Sequence, residues 1–163
     1  MTEQTAKILF ARDNGVVIIR LLGDVRYTIS ATFKEFLETL FHDPQVSNII
    51  VDLSGTSNID STNLGLLAKV ATHSHKHLHH KSLLVSDNSD VNQLLHSVGF
   101  DRVFVLSNHY DMPAAELSEL APEQASREQL AAVLLDAHRT LAGMNETNKA
   151  MFADVIRSLE ASG

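Results

Sequence analysis

Between Lys7 and Leu106 the chain alternates short β-branched runs with stretches whose apolar residues recur every three or four positions. That alternation restricts it to an α/β layer fold. Runs at residues 7–12 and 16–22 flank Asp13-Asn14-Gly15, which supplies the positive φ angles of a tight turn, so a β-hairpin opens the chain and Gly23 ends it. From Ser30 onward Phe33, Phe36, Leu37, Leu40 and Phe41 predict an amphipathic helix that stops before Pro44. Residues 48–53 read as a central strand covered on both faces. A polar loop over 54–58 leads to a second helix that begins near Ser61, capped by Asp60 or Ser61, with Leu64, Leu67, Ala68, Ala71 and Leu78 on its apolar positions. Residues 81–86 give another strand. Ser89 or Asp90 caps a short helix through Leu94, Leu95 and Val98 that Gly99 closes, and residues 102–106 form a last strand. The order ββαβαβαβ requires right-handed crossovers, with the hairpin as an antiparallel edge.

The character of the chain changes after Ser107. Residues 108–124 contain Pro113 and Pro122 in a polar stretch that reads as a linker, with room for one or two helical turns over 114–120. Ser126 and Gln129 then make a capping-box pattern ahead of Leu130, Val133, Leu134, Ala137 and Leu141, with Gly143 at the C-terminal end. Met151, Phe152, Val155, Ile156 and Leu159 repeat the helical spacing. The expected division is an α/β domain over 1–107, a linker over 108–124 and a C-terminal helical hairpin over 125–163. Two helices are not stable alone, so the hairpin must dock on the domain or on another chain, a homodimer included.

A net charge of -7 repels nucleic acid and anionic membrane surfaces alike. The absence of cysteine excludes disulfides, thiolate metal sites and a cysteine nucleophile. The N-terminus, Met1-Thr2-Glu3-Gln4-Thr5-Ala6-Lys7, lacks the basic start and apolar stretch of a signal peptide, and no run approaches the ~18 apolar residues of a membrane span. A cytoplasmic protein is expected.

The most informative segment is Val51-Asp52-Leu53-Ser54-Gly55-Thr56-Ser57-Asn58-Ile59-Asp60-Ser61-Thr62-Asn63-Leu64-Gly65-Leu66-Leu67. It resembles the central signature of bacterial STAS-domain anti-sigma-factor antagonists: a buried strand ending in Asp-Leu-Ser, a loop, then a helix starting Asp-Ser-[Ser/Thr]-Gly-Leu-Gly. Gly23-Asp24 after the second strand and Ser97-Val98-Gly99-Phe100 before the last also fit that family. The resemblance implies a mixed β-sheet with an N-terminal hairpin and crossover helices. It also implies a partner-switching regulator of transcription, in which a protein that is both anti-sigma factor and serine kinase phosphorylates Ser61, with Thr62 the secondary candidate, and a serine phosphatase reverses the mark. Only the unphosphorylated form would then bind the anti-sigma factor, through Asp24, Ser57, Asn58, Asp60, Ser61, Thr62, Asn63 and Leu64. The chain departs from the family at Asn63, where glycine is usual.

Physical chemistry supports a switch at that place. A phosphate on an exposed serine at a helix N-terminus adds about 1.5 to 2 negative charges beside backbone N–H groups that tolerate an anion. A protein interface over the same spot must desolvate that dianion close to Asp60, and a loss of about 3 kcal/mol weakens binding roughly a hundredfold.

Other features have plainer readings. Without its flanking pattern Ser61 is simply a helix cap. Asp52, a lone carboxylate at a strand end, forms a local hydrogen bond rather than acting as a catalytic acid. The group His73, His75, His77, His79 and His80 offers two i,i+4 pairs, His73 with His77 and His75 with His79, but neither pair has a third ligand. With Lys69, Lys76 and Lys81 nearby, the group reads as a solvated helix end and not a metal site. No GxxxxGK[ST], HExxH or GxSxG pattern occurs, so neither an enzyme nor a cofactor is expected. A rival that keeps the fold is a STAS subunit of a transporter or signalling scaffold, nucleotide-binding included.

Overall fold

In a computed structural model, which describes residues 5–113 and 115–162, the N-terminal hairpin forms as expected. The readings made on residues 1–4 lie outside this range, as do Ala114 and Gly163. β1 (Lys7–Asp13) and β2 (Val16–Val25) pair antiparallel with Asp13 opposite Val16. Asn14 and Gly15 adopt φ of 49° and 83°, the left-handed pair that a two-residue turn matched to strand twist requires. The chain continues as α1 (Ser30–Phe41), β3 (Asn48–Asp52), β4 (Thr56–Ile59), α2 (Ser61–His73) and β5 (Leu83–Val85). Next come α3 (Ser89–Ser97), β6 (Val105–Ser107), β7 (Ser118–Leu120), α4 (Arg127–Ala142) and α5 (Glu146–Ser162).

The strands form one mixed sheet in the order β6-β5-β3-β2-β1-β7, and β4 runs parallel beside the end of β2. Neighbours from β2 to β6 are parallel, as crossover helices dictate, while β1 is antiparallel to both β2 and β7. Val17, Ile19 and Leu21 of β2 and Ile49 and Val51 of β3 are buried in one core with Phe33 and Leu37 of α1 and Leu66, Leu67 and Val70 of α2. On the opposite sheet face Ile18 pairs with Ile50 and Arg20 with Asp52. Ile50 is only half-buried there, so β3 is less fully covered than its apolar sequence suggested.

Several expectations are corrected. The polar stretch after Ser54 is not all loop: Thr56 is buried, its hydroxyl donates to the Leu21 carbonyl at 2.7 Å, and Ile59 is buried too, so β4 is anchored at both ends. β1 is not the sheet edge. Ile8 pairs with Leu120 and Phe10 with Ser118, so the presumed linker supplies β7 and covers backbone groups that β1 would otherwise leave open. The last strand starts at Val105 rather than Arg102, because Phe100–Arg102 form a 3-10 turn that seats Phe100 in the core. The cap of α3 is Asn88, whose side-chain oxygen accepts the N–H groups of Asp90 and Val91.

The C-terminal hairpin docks on the domain. Val133, Ala137 and Leu141 of α4 and Phe152 of α5 are buried, α4 lying against α2 and α1. Fully buried Asn148 fastens α5 by donating to the carbonyls of Val98 (2.9 Å) and Leu141 (3.1 Å). Among the described residues, no helix is long and apolar enough to cross a membrane.

Candidate functional site

The start of α2 is built by β4. The end of β2 and β4 pair Asp24 with Asn58 and Val25 with Ile59, after a register shift at Gly23 and Asp24. Asn58 donates its amide to the Asp24 carboxylate at 3.3 Å, and Arg26 donates to the same carboxylate at 2.7 Å. Asp60 turns the chain: its N–H donates to the Val25 carbonyl, and its side chain caps α2 by accepting the N–H of Asn63 at 3.0 Å. Asp60 is therefore the cap and Ser61 the first helical residue, at the end of α2 where backbone N–H groups lack intrahelical partners.

The Ser61 hydroxyl is half-buried rather than exposed, and lies 2.7 Å from Nε2 of His138, a residue of α4 that is only 4% exposed. Nδ1 of His138 is 2.7 Å from the Leu134 carbonyl, which can only accept, so Nδ1 carries a proton. In the neutral ring Nε2 is then the acceptor and Ser61 the donor. The imidazole meets the ring of Phe152 edge-on, with centroids 5.8 Å apart. The next turn of α2 brings Gly65 against the backbone of Ala137, and Lys69 pairs with Asp136 at 2.6 Å. Position 138 falls on the apolar stripe between Leu134 and Leu141. A histidine on an otherwise apolar stripe is the sequence signal that could have singled it out, though nothing there ties it to Ser61.

Of the residues expected to meet a partner, Ser57 and Asn58 are exposed at this end of the sheet, and Asp24, Asp60 and Ser61 reach the surface in part. Thr62, Asn63 and Leu64 are buried and offer a partner no surface in this conformation. Asn63 is 0% exposed. Its amide donates to Asp60, while its Oδ1 has no hydrogen-bond partner, a feature with no counterpart where glycine stands in the resembling family.

Asp52 and the histidine group make their contacts within the chain. Asp52 accepts from Arg20, Tyr110 and both the N–H and hydroxyl of Ser54, tying the chain beyond β6 to the sheet. His73 stacks on Phe41 with centroids 4.4 Å apart and lies 4.9 Å from the ring of His77. Burial lowers the His73 pKa, helped by the like charges of His77 and His42. α2 runs into a π-helical turn (Ser74–Leu78), after which His79 takes φ 58°, so His75 and His79 are not a helical i,i+4 pair. Among the described residues, no three His, Asp or Glu side chains gather to hold a metal ion.

A family model described as STAS domain matches residues 7–112, most of the chain. The chain belongs to the STAS-domain family. No curated protein gives a significant match to the sequence. The STAS match takes in β1 to β6, with Ser61 and Asp60, and stops before β7. His138 thus reaches the STAS domain from a segment outside the match. STAS domains are in most cases binding and regulatory modules, anti-sigma-factor antagonists among them.

Proposed function

We propose that this STAS protein is an anti-sigma-factor antagonist controlled by phosphorylation of Ser61. The observation that carries the reading is the place of that serine. It is the first residue of α2, directly after the capping Asp60, in the run Asp60-Ser61-Thr62-Asn63-Leu64-Gly65, beside the surface side chains of Asp24, Ser57 and Asn58. Unphosphorylated, this end of the sheet engages an anti-sigma factor that is also a serine kinase. A phosphate there meets backbone N–H groups at a helix N-terminus, but a partner docked over it would have to bury a dianion beside Asp60. A serine phosphatase resets the state.

The test is binding to the cognate anti-sigma factor by Ser61→Ala, Ser61→Asp and the unmodified chain. Ser61→Ala is expected to bind whether or not the kinase is active. Ser61→Asp is expected to bind roughly a hundredfold more weakly, as the loss of about 3 kcal/mol gives. Equal binding by all three rejects Ser61 as the control point.

A further inference from the structure

The serine assigned to the switch is partly covered by the chain's own C-terminal hairpin. α4 comes so close to α2 at Gly65 that a Cβ built there would lie 2.2 Å from the carbonyl oxygen and 2.8 Å from the Cα of Ala137. Those neighbours are backbone and cannot rotate aside. One turn before this contact His138 holds the Ser61 hydroxyl, and one turn after it Lys69 is engaged by Asp136. His138 is fixed from behind by the Leu134 carbonyl and flanked by Phe152.

We propose that the α4–α5 hairpin is a lid on the switch residue: docked α4 and phosphorylated Ser61 exclude one another, and a kinase or partner reaches α2 only by displacing the hairpin. The proposal rests on reading Ser61 as the phosphoacceptor and adds the regulation of that site. Phosphorus and three oxygens on Ser61 Oγ must occupy the space that a 2.7 Å hydrogen bond now spans. α4 can make that space only by moving away from α2, which gives up the close backbone packing at Gly65 a turn away. Lys69, the cation that α2 presents to α4, is already paired, and Asp60 adds negative charge beside the site. By linkage, whatever factor docking imposes against the phosphate, the phosphate imposes against docking.

The full chain tests this without a kinase. It contains no cysteine, so Lys69→Cys with Asp136→Cys places a single reactive pair across the α2–α4 contact at the cost of one partly exposed ion pair. Phosphoserine is installed at position 61 during synthesis. Hydrogen exchange over residues 127–162 is then measured, together with the rate at which a short bismaleimide bridges the two thiols. The phosphorylated chain is expected to exchange roughly tenfold faster or more across α4 and to bridge correspondingly slowly, while amides of β2 and β3 keep their protection. α4 protection that is unchanged or increased, with the phosphate turned to solvent or held by His138, overturns the lid. Should β2 and β3 lose protection as well, Gly65→Ala decides by wedging the helices apart with no phosphate. Loss of α4 protection over an intact sheet supports the lid, and retained α4 protection overturns it. The two ideas fail separately. Equal binding of the cognate anti-sigma factor by Ser61→Ala, Ser61→Asp and the unmodified chain rejects the switch and leaves the exclusion between docked α4 and a phosphate standing, whereas protected α4 in the phosphorylated chain rejects the lid and leaves the switch.

Discussion

The carboxylate of Asp52 is 1% exposed and yet surrounded by donors: the N–H of Ser54 at 2.8 Å, its hydroxyl at 2.6 Å, the Tyr110 hydroxyl at 2.9 Å and Nε of Arg20 at 3.0 Å. Burial pushes its pKa up, and these donors more than offset that, so the carboxyl titrates below its ordinary 3.8. A depressed folded-state pKa stabilises the fold above the unfolded value and loses that contribution as pH falls through the folded one. Asp52→Ala is therefore expected to cost about 2 to 4 kcal/mol at neutral pH by urea unfolding, since it strands Arg20 and Tyr110 as well. The gap between variant and unmodified chain should narrow as pH drops below about 4, and a gap that stayed constant with pH would remove the charged form of Asp52 from the account. The local role of this residue was legible in the sequence because a single carboxylate at a strand end has ready donors two residues on. His138 was not legible as a partner of Ser61. The two are separated by 77 positions, and nothing in either neighbourhood names the other.

Elements were readable where burial follows a period and obscure where it does not. α1 and α4 announced themselves by apolar spacing, and the Ser126–Gln129 capping box is present with both of its hydrogen bonds. β4 was hidden because only Thr56 and Ile59, its two ends, are buried, and the exposed Ser57 and Asn58 between them carry no strand signal. β7 was hidden for a related reason: Ser118, Glu119 and Leu120 form a three-residue strand on the sheet's edge, held mainly by backbone pairing to β1 rather than by apolar side chains. The same reasoning puts a scale on the capping box. Ser126→Ala removes the acceptor for the Gln129 N–H and is expected to weaken α4 by about 1 kcal/mol. Faster hydrogen exchange confined to the first turn of α4 would show it; an unchanged first turn would mean that packing on α2, not the cap, sets where the helix begins.

For the molecule as a whole, the hairpin is secured differently from the sheet it lies on. The sheet and its crossover helices supply most of one continuous core, to which α4 and α5 add Val133, Leu141 and Phe152, and polar clasps stand beside these contacts. Those clasps are His138 on Ser61, Lys69 on Asp136 and Asn148 on Val98. A unit that adds few side chains to a core opens at lower free energy than the sheet that supplies most of it, so α4 and α5 are expected to unfold as a block before the sheet does. Asn148 is the place to test this, because it is fully buried and removing its amide leaves the Val98 carbonyl without that donor. Asn148→Ala should lower the opening free energy of the hairpin by about 1 to 3 kcal/mol, roughly a 5- to 150-fold larger open population. Native-state hydrogen exchange in low denaturant separates the cases. Amides of α4 and α5 should converge on one opening isotherm below that of β2 and β3, and Asn148→Ala should shift only the lower one. If the two sets of amides instead merge into a single isotherm that moves as one, the hairpin is an integral layer of the domain, and α2 could not be uncovered without unfolding the whole.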